Sequence, residues 1–231
     1  DTEALVVEMG MRGFGEISRL CAIARPHIGV VTAVAAAHTE RVGGLDGVEK
    51  AKGELVEALP ASGTAILNGD DPRVARMASR TSAHVVTYAM TTTADVAMTS
   101  QSMDADGAVT MSVTSPWGDV TVRVPAAGVH MASNALAALA IAGVCGVPIA
   151  DAARGLESAR LSPMRMENHV TVGGARVVAD CYNANPASVA AALRTLAALQ
   201  ASRRVAVLGV MAELADEAVE HRRRSEEHTS E

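Results

Sequence analysis

Aromatic residues are nearly absent from this sequence: one Trp, two Tyr and one Phe in 231 residues. A core must therefore be built from Val, Ala, Leu, Ile and Met, the kind of residue that covers a buried parallel sheet. No basic run occurs, and the formal net charge is −6. That leaves no positive face for a nucleic acid or an anionic membrane surface. No apolar run reaches the roughly 18 residues of a membrane span, and no secretory signal pattern is visible. Cys21, Cys145 and Cys181 stand far apart without a CxxC pair. They read as free buried thiols of a reducing compartment, which points to the cytoplasm. No G-x-x-x-x-G-K-[ST] phosphate loop is present.

Lysine is scarce as well. Of the 20 basic residues only Lys50 and Lys52 are lysines, and the rest are arginines. Lysine carries an amine that can lose its proton, whereas arginine effectively does not. Two lysines inside one hexapeptide, Glu49–Glu54, therefore ask for a chemical reason.

What is present is alternation. Hydrophobic residues make up 49% of the chain. Ala4–Met9 reads as a buried strand, Gly15–Ala24 as a helix stopping before Pro26, and Ile28–Val34 as a second strand. Asp46–Leu59 reads as a helix, Thr64–Leu67 as a strand, Pro72–Ser79 as a helix and Ala83–Tyr88 as a strand. Strand–helix alternation of this kind predicts a mostly parallel sheet with right-handed crossovers and flanking helices, an α/β fold. Asp95–Met103, Ala108–Thr114 and Asp119–Val124 have period two and are joined by DADG and SPWG turns. They predict a small antiparallel insert at about residues 92–125. Met131–Val144 and Ile149–Ser158 read as helices. Val170–Val172 and Ala175–Ala179 predict a hairpin around Gly173-Gly174, Pro186–Leu199 a helix, and Arg204–Gly209 a strand. The expected organisation is a domain over residues 1–164 and the start of a second α/β domain over 165–223. The second has too few elements to close a core. Residues 224–231 (RSEEHTSE) break the pattern and resemble translated sequencing adapter, so they are expected to be a non-native tail.

Five constellations carry candidate chemistry. Glu8 ends the first strand, where ligands of open α/β sheets collect, and a carboxylate there suits Mg²⁺; it also reads as a helix-capping or solvated Glu. His38 follows the second strand and occupies the matching position on the neighbouring unit; a lone His is also an ordinary structural residue. Lys52 lies in the following helix, where the bland reading is a solvated charge run. A lysine facing a metal is a like-charge conflict, resolved if its amine reacts with CO₂ to give an anionic carbamate. Asn134 sits in an Ala-rich helix entered through Gly128, with a capping Asn as the plain alternative. Arg165, in SPMRME, and Asp180, Asn183 and Asn185, in DCYNANP, span the domain junction. A guanidinium suits phosphate as a fixed fork of donors, and an interdomain salt link with an Asn/Pro turn is the simpler reading.

Together, EMGMRGFGEI (residues 8–17), AAAHTERVGGLDGVEKAKGEL (35–55), NGDDP (68–72), the Asn134 helix and DCYNANP (180–186) resemble the Mur ligase family, over about residues 3–223. The closest likeness is to its D-alanyl-D-alanine-adding branch. Cys181 stands where Ser is usual, and Val210 stands in LGVMAELA where an acidic residue is common. The resemblance implies an ATP-dependent amide ligase acting on UDP-MurNAc-tripeptide and D-Ala-D-Ala through an acyl phosphate. It implies two Mg²⁺ ions held by Glu8, His38 and carbamoylated Lys52, with Lys52 and His38 serving the chemistry. It implies that Asn134 meets adenine, Arg165 the phosphate or ribose region and Asp180 the ribose, while Asn183 and Asn185 shape the acceptor loop. It implies a phosphate loop upstream of Glu8, and a monomer. Another Mur-type or folylpolyglutamate ligase, or a non-catalytic nucleotide-binding module, remains an alternative.

Overall fold

The computed structural model describes residues 2–35, 42–104, 107–160, 162–209 and 211. Six strands form one sheet in sequential order: β1 (Ile28–Val31), β2 (Thr64–Asn68), β3 (His84–Ala89), β4 (Val96–Met103), β5 (Ala108–Thr114) and β6 (Val120–Ala127). β1 to β4 pair in parallel, and β4 to β6 antiparallel. The antiparallel segments expected from the period-two stretches thus continue the main sheet and do not stand apart from it. Helices α1 (Glu16–Ala24), α2 (Leu45–Glu57), α3 (Pro72–Ala75), α4 (His130–Val144) and α5 (Ile149–Glu157) flank it. A 3₁₀ turn, Arg76–Arg80, completes the segment expected to be helical up to Ser79.

The parallel strands β1 to β3 are covered on both faces. Ile66, Val86, Val96, Val109 and Val122 join Leu136 and Leu139 of α4 in one apolar cluster. Ala65, Leu67 and Val31 join Ile17 of α1 and Val48 and Val56 of α2 in the other. The two clusters share β2, because neighbouring residues of a strand point to opposite faces.

Beyond the sheet, β7 (Glu167–Val170) and β8 (Arg176–Ala179) form a two-stranded hairpin, followed by α6 (Pro186–Ala198). The hairpin begins earlier than the sequence suggests, with Glu167 opposite Ala179 and Val170 opposite Arg176. Its turn runs through Gly174, whose φ of 80° favours glycine.

Two expected strands are corrected. Ala4–Met9 is not a strand; Leu5 and Val6 are 80% and 86% exposed. Arg204–Gly209 is not a strand either, and Val207 is 93% exposed. Both runs have the composition of a strand, but a strand forms only with a ladder partner, and none of the described strands pairs with either. Arg204 instead places its guanidinium on the Leu199 carbonyl, at 2.7 and 3.0 Å, beyond the last turn of α6. The thiols differ in part from expectation too. All three cysteines are free, but only Cys21 is buried, with its sulfur 3.9 Å from that of Met9; Cys145 and Cys181 are exposed. No helix among the described residues is long and apolar enough to cross a membrane.

Candidate active site

β1 ends at Val31, three residues short of expectation, and the reason defines the site. Beyond it, three consecutive residues give backbone groups to side chains instead of a ladder. The Asn68 amide donates to the Thr32 carbonyl at 2.8 Å. The Lys52 amine donates to the Ala33 carbonyl at 2.6 Å. The Val34 amide donates to an Asp71 carboxylate oxygen at 2.7 Å. These side chains come from the end of β2, the middle of α2 and the start of α3. They converge at the carboxyl rim of the parallel strands, where open α/β sheets place ligands.

Lys52 is half-buried there. Burial pushes its pKa down, and the nearby Asp71 charge pulls it partly back up. Its helix is held from several sides. Glu54, two residues on, accepts from the Gly15 and Ser18 amides at 2.7 and 3.0 Å, satisfying free N–H groups at the start of α1. Arg80 lays its guanidinium across Gly53 and donates to the Glu49 and Lys50 carbonyls at 3.1 and 3.0 Å. A Cβ at Gly53 would fall 1.9 Å from that guanidinium, so glycine is what permits the approach. Lys50 lies outside this arrangement, 5.2 Å from the centre of the Phe14 ring. The short NGDDP stretch does more than turn the chain. Asp70 accepts from the Met90, Thr91 and Thr92 amides at 2.6, 3.1 and 3.1 Å, fixing the loop after β3. Burial pushes its carboxyl up, but the Thr91 hydroxyl and these three amides together outweigh it and hold the carboxyl below the usual carboxylate range.

A second group of residues gathers at the hairpin. The Met166 amide donates to Asp180 at 3.2 Å, and the Tyr182 amide donates to the Met164 carbonyl at 3.2 Å. Arg165 stands over the Tyr182 ring, 4.4 Å from its centre. Met164 and Met166, on either side of Arg165, have φ of 61° and 51°, a left-handed conformation that costs free energy in non-glycine residues. The structure therefore ties the segment that carries Arg165 to Asp180 through the Met166 amide. Asp180 also acts at a distance on His130, the first residue of α4. Burial lowers the His130 pKa, Asp180 raises it and Arg194 lowers it. Asn134, one turn into α4, is exposed, with its amide nitrogen 3.7 Å from the Met131 sulfur.

The acceptor-loop candidates have local partners. Asn183 accepts from the Ala184 amide at 2.9 Å. Asn185 is the N-cap of α6, accepting from Ser188 N at 2.9 Å in a capping box.

The metal candidates are not seen to converge. His38 lies outside the described residues. Glu8 is exposed on the segment that forms no strand. Among the described residues, no group of three His, Cys, Asp or Glu side chains could hold a metal ion. Lys52, as an amine, offers a cation no lone pair until it loses its proton; as a carbamate it would offer oxygens.

Sequence reasoning missed Asp70, Asp71, Glu54, Arg80 and Tyr182. One signal for Asp71 was available: an Asp directly before a proline that opens a helix is an N-cap.

Residues 1–142 match the profile of the Mur ligase middle domain, and residues 164–230 that of the Mur ligase, glutamate ligase domain. The chain belongs to the Mur ligase family. Among known Mur ligases, the UDP-N-acetylmuramoyl-tripeptide–D-alanyl-D-alanine ligase of Mycobacterium tuberculosis is 39% identical over 229 residues, covering 96% of this chain and 45% of that protein. The Bacillus subtilis ligase of the same name is 33% identical over 217 residues, covering 94% and 46%. MurF from Acinetobacter baumannii superposes with a TM-score of 0.85 at 30% identity, covering 91% of this chain and 46% of that one. MurF from Thermotoga maritima, solved in complex with ADP, shares the fold with a TM-score of 0.82 at 22% identity, covering 93% and 49%. This Mur ligase chain thus spans about half the length of the curated relatives it matches.

Proposed function

We propose that this chain is the central part of an ATP-dependent ligase of the cytoplasm that joins D-alanyl-D-alanine to UDP-MurNAc-tripeptide. The observation that carries this reading is Lys52, a half-buried lysine held at the sheet's carboxyl rim with its pKa pushed down. The relatives named for that reaction supply the substrates. We likewise read residues 1–164 as the nucleotide-binding domain and the residues from 165 onward as part of the next.

In the proposed reaction, the terminal carboxylate of the tripeptide attacks the γ-phosphorus of ATP. ADP leaves and an acyl phosphate forms. The dipeptide amine then attacks the acyl carbon, an amide bond forms, and phosphate and a proton depart. Lys52 prepares the site beforehand. Its neutral amine attacks CO₂ and loses a proton, which yields a carbamate. Burial favours the neutral amine, and the N–H that remains can still donate to the Ala33 carbonyl, so the new carboxylate is aimed away from the loop. Carbamoylated Lys52, with Glu8 and His38, would hold magnesium, which offsets the charge of phosphates and carboxylate when bound. Asn134 receives the adenine and Asp180 accepts from a ribose hydroxyl. Arg165, braced on Tyr182, donates to phosphate. Asn183 and Asn185 shape the loop that faces the dipeptide, Asn185 through its cap on α6. Domain closure would exclude water, which would otherwise hydrolyse the acyl phosphate.

The test is acceptor dependence in a full-length ligase carrying this chain. Multiple-turnover release of phosphate should require both UDP-MurNAc-tripeptide and D-Ala-D-Ala, with no continued turnover when glutamate replaces the dipeptide. Turnover with glutamate alone would move the chain to a folylpolyglutamate-type activity.

A further inference from the structure

Linked domains move relative to one another unless a specific contact holds them. One tight contact joins the residues after 164 to those before. α6 buries a single side chain, Thr195, which is 5% exposed. Part of its cover lies at the entry to α4. A Cβ placed on Gly128 would fall 2.4 Å from Thr195 Oγ1 and 2.7 Å from His130 Cε1. Gly128 is therefore the floor on which the two side chains meet, and its φ of 101° also favours glycine. The floor is anchored on its own side, where the Gly128 amide donates to the Gly107 carbonyl at 3.1 Å. The Thr195 hydroxyl donates within α6, to the Ala191 carbonyl at 3.0 Å, so it meets Gly128 by shape and not by a hydrogen bond. Charge links the two parts at the same place, because Asp180 and Arg194 both act on His130.

We propose that the fit of Thr195 onto Gly128 is a seat that docks α6 on the entry to α4, and that Gly128 and Thr195 are positioning residues for the nucleotide. Asn134 stands one turn beyond His130 on α4, and Asp180 follows β8 on the other side of the seat. The seat thereby sets the separation between the group that meets adenine and the group that meets ribose. Neither Gly128 nor Thr195 touches a reacting atom. This inference rests on the reading of Asn134 and Asp180 given above.

The fit makes the role separable from folding. Thr195→Leu is too large for the seat, and overfilling a close contact displaces one of its sides. Thr195→Val keeps the shape and gives up only the hydroxyl bond within α6.

Two measurements on a full-length ligase carrying this chain test the role. The first is hydrogen exchange at the start of α4, where the Met131 and Ala132 amides donate to the Gly128 and Val129 carbonyls at 3.0 and 2.9 Å. With α6 displaced, these amides should exchange at least about tenfold faster in Thr195→Leu, and at the wild-type rate in Thr195→Val. The second is the ratio of kcat/KM for ATP to kcat/KM for 2′,3′-dideoxy-ATP, which offers Asp180 no ribose hydroxyl. The ratio should be about 10–100 in wild type and in Thr195→Val, the usual worth of a hydrogen bond to a charged group. In Thr195→Leu and in Asp180→Ala it should fall to within about twofold of unity. A ratio taken within one preparation does not depend on how much of a variant is folded. A Thr195 that only stabilises α6 predicts a changed melting temperature with the wild-type ratio kept. Wild-type exchange or a wild-type ratio in Thr195→Leu would overturn the proposal. A wild-type enzyme that uses both nucleotides equally would instead strike the ribose reading of Asp180 on which the proposal stands.

Discussion

Lys52→Ala in a full-length ligase carrying this chain is expected to lower kcat by about 10²–10³-fold, the usual cost of losing one preorganised group that stabilises transition-state charge. Short carboxylic acids such as acetate should restore part of that loss, because the cavity left at the rim can admit the carboxylate that the carbamate supplied. Lys52→Arg makes the argument sharper. Arginine keeps the positive charge and can still donate to the Ala33 carbonyl, yet it cannot lose a proton to attack CO₂. If Lys52 merely held the loop, Lys52→Arg would retain most activity. If it acts as a carbamate, Lys52→Arg is as poor as Lys52→Ala. Lys50→Ala should stay near wild type, since Lys50 lies over Phe14, outside the rim hydrogen bonds.

Ile66→Ala and Leu67→Ala should each destabilise the chain by about 2–5 kcal/mol in urea unfolding, the range for large-to-small changes in a packed core. These are adjacent residues on opposite faces of β2, and both are fully buried. A sheet with one wet face would show a large effect at one position and a small one at the next. Two large effects in succession are the signature of a strand covered on both sides, here by α4 on one face and by α1 and α2 on the other. The consequence reaches the site, because β2 carries Asn68 at its end and leads directly into Asp71.

The sequence shows this architecture well where periodicity and partners agree. Thr64–Leu67 is a run of apolar residues between turn signals, and the structure adds only Asn68. Pro186 at the first turn marks α6, with Asn185 before it as cap. It misleads where composition is right but pairing is absent. Ala4–Met9 and Arg204–Gly209 are as apolar as true strands, and nothing in their residues states that no described strand lies beside them. The end of β1 is a subtler case. Thr32–Val34 continues the strand by composition, but Asn68, Lys52 and Asp71 compete for its backbone groups from as far as 37 positions away, and no local window contains that competition.

The candidate site divides in the same way. Lys52 stood out because lysine is rare in this chain, and the structure places it at the rim. Arg165 and Asp180 were legible as motifs, and the Met166 amide next to Arg165 bonds to Asp180 at the hairpin. Asp71 and Tyr182 went unnoticed because their parts are geometric: one carboxylate shared between a helix and a loop, one ring beneath a guanidinium.

The most direct test of the account is ¹³C NMR of the full-length protein equilibrated with ¹³C-bicarbonate. The account predicts one protein-bound carbamate resonance that is lost in Lys52→Ala and kept in Lys50→Ala. A spectrum without such a resonance, or one in which it survives Lys52→Ala, would contradict it.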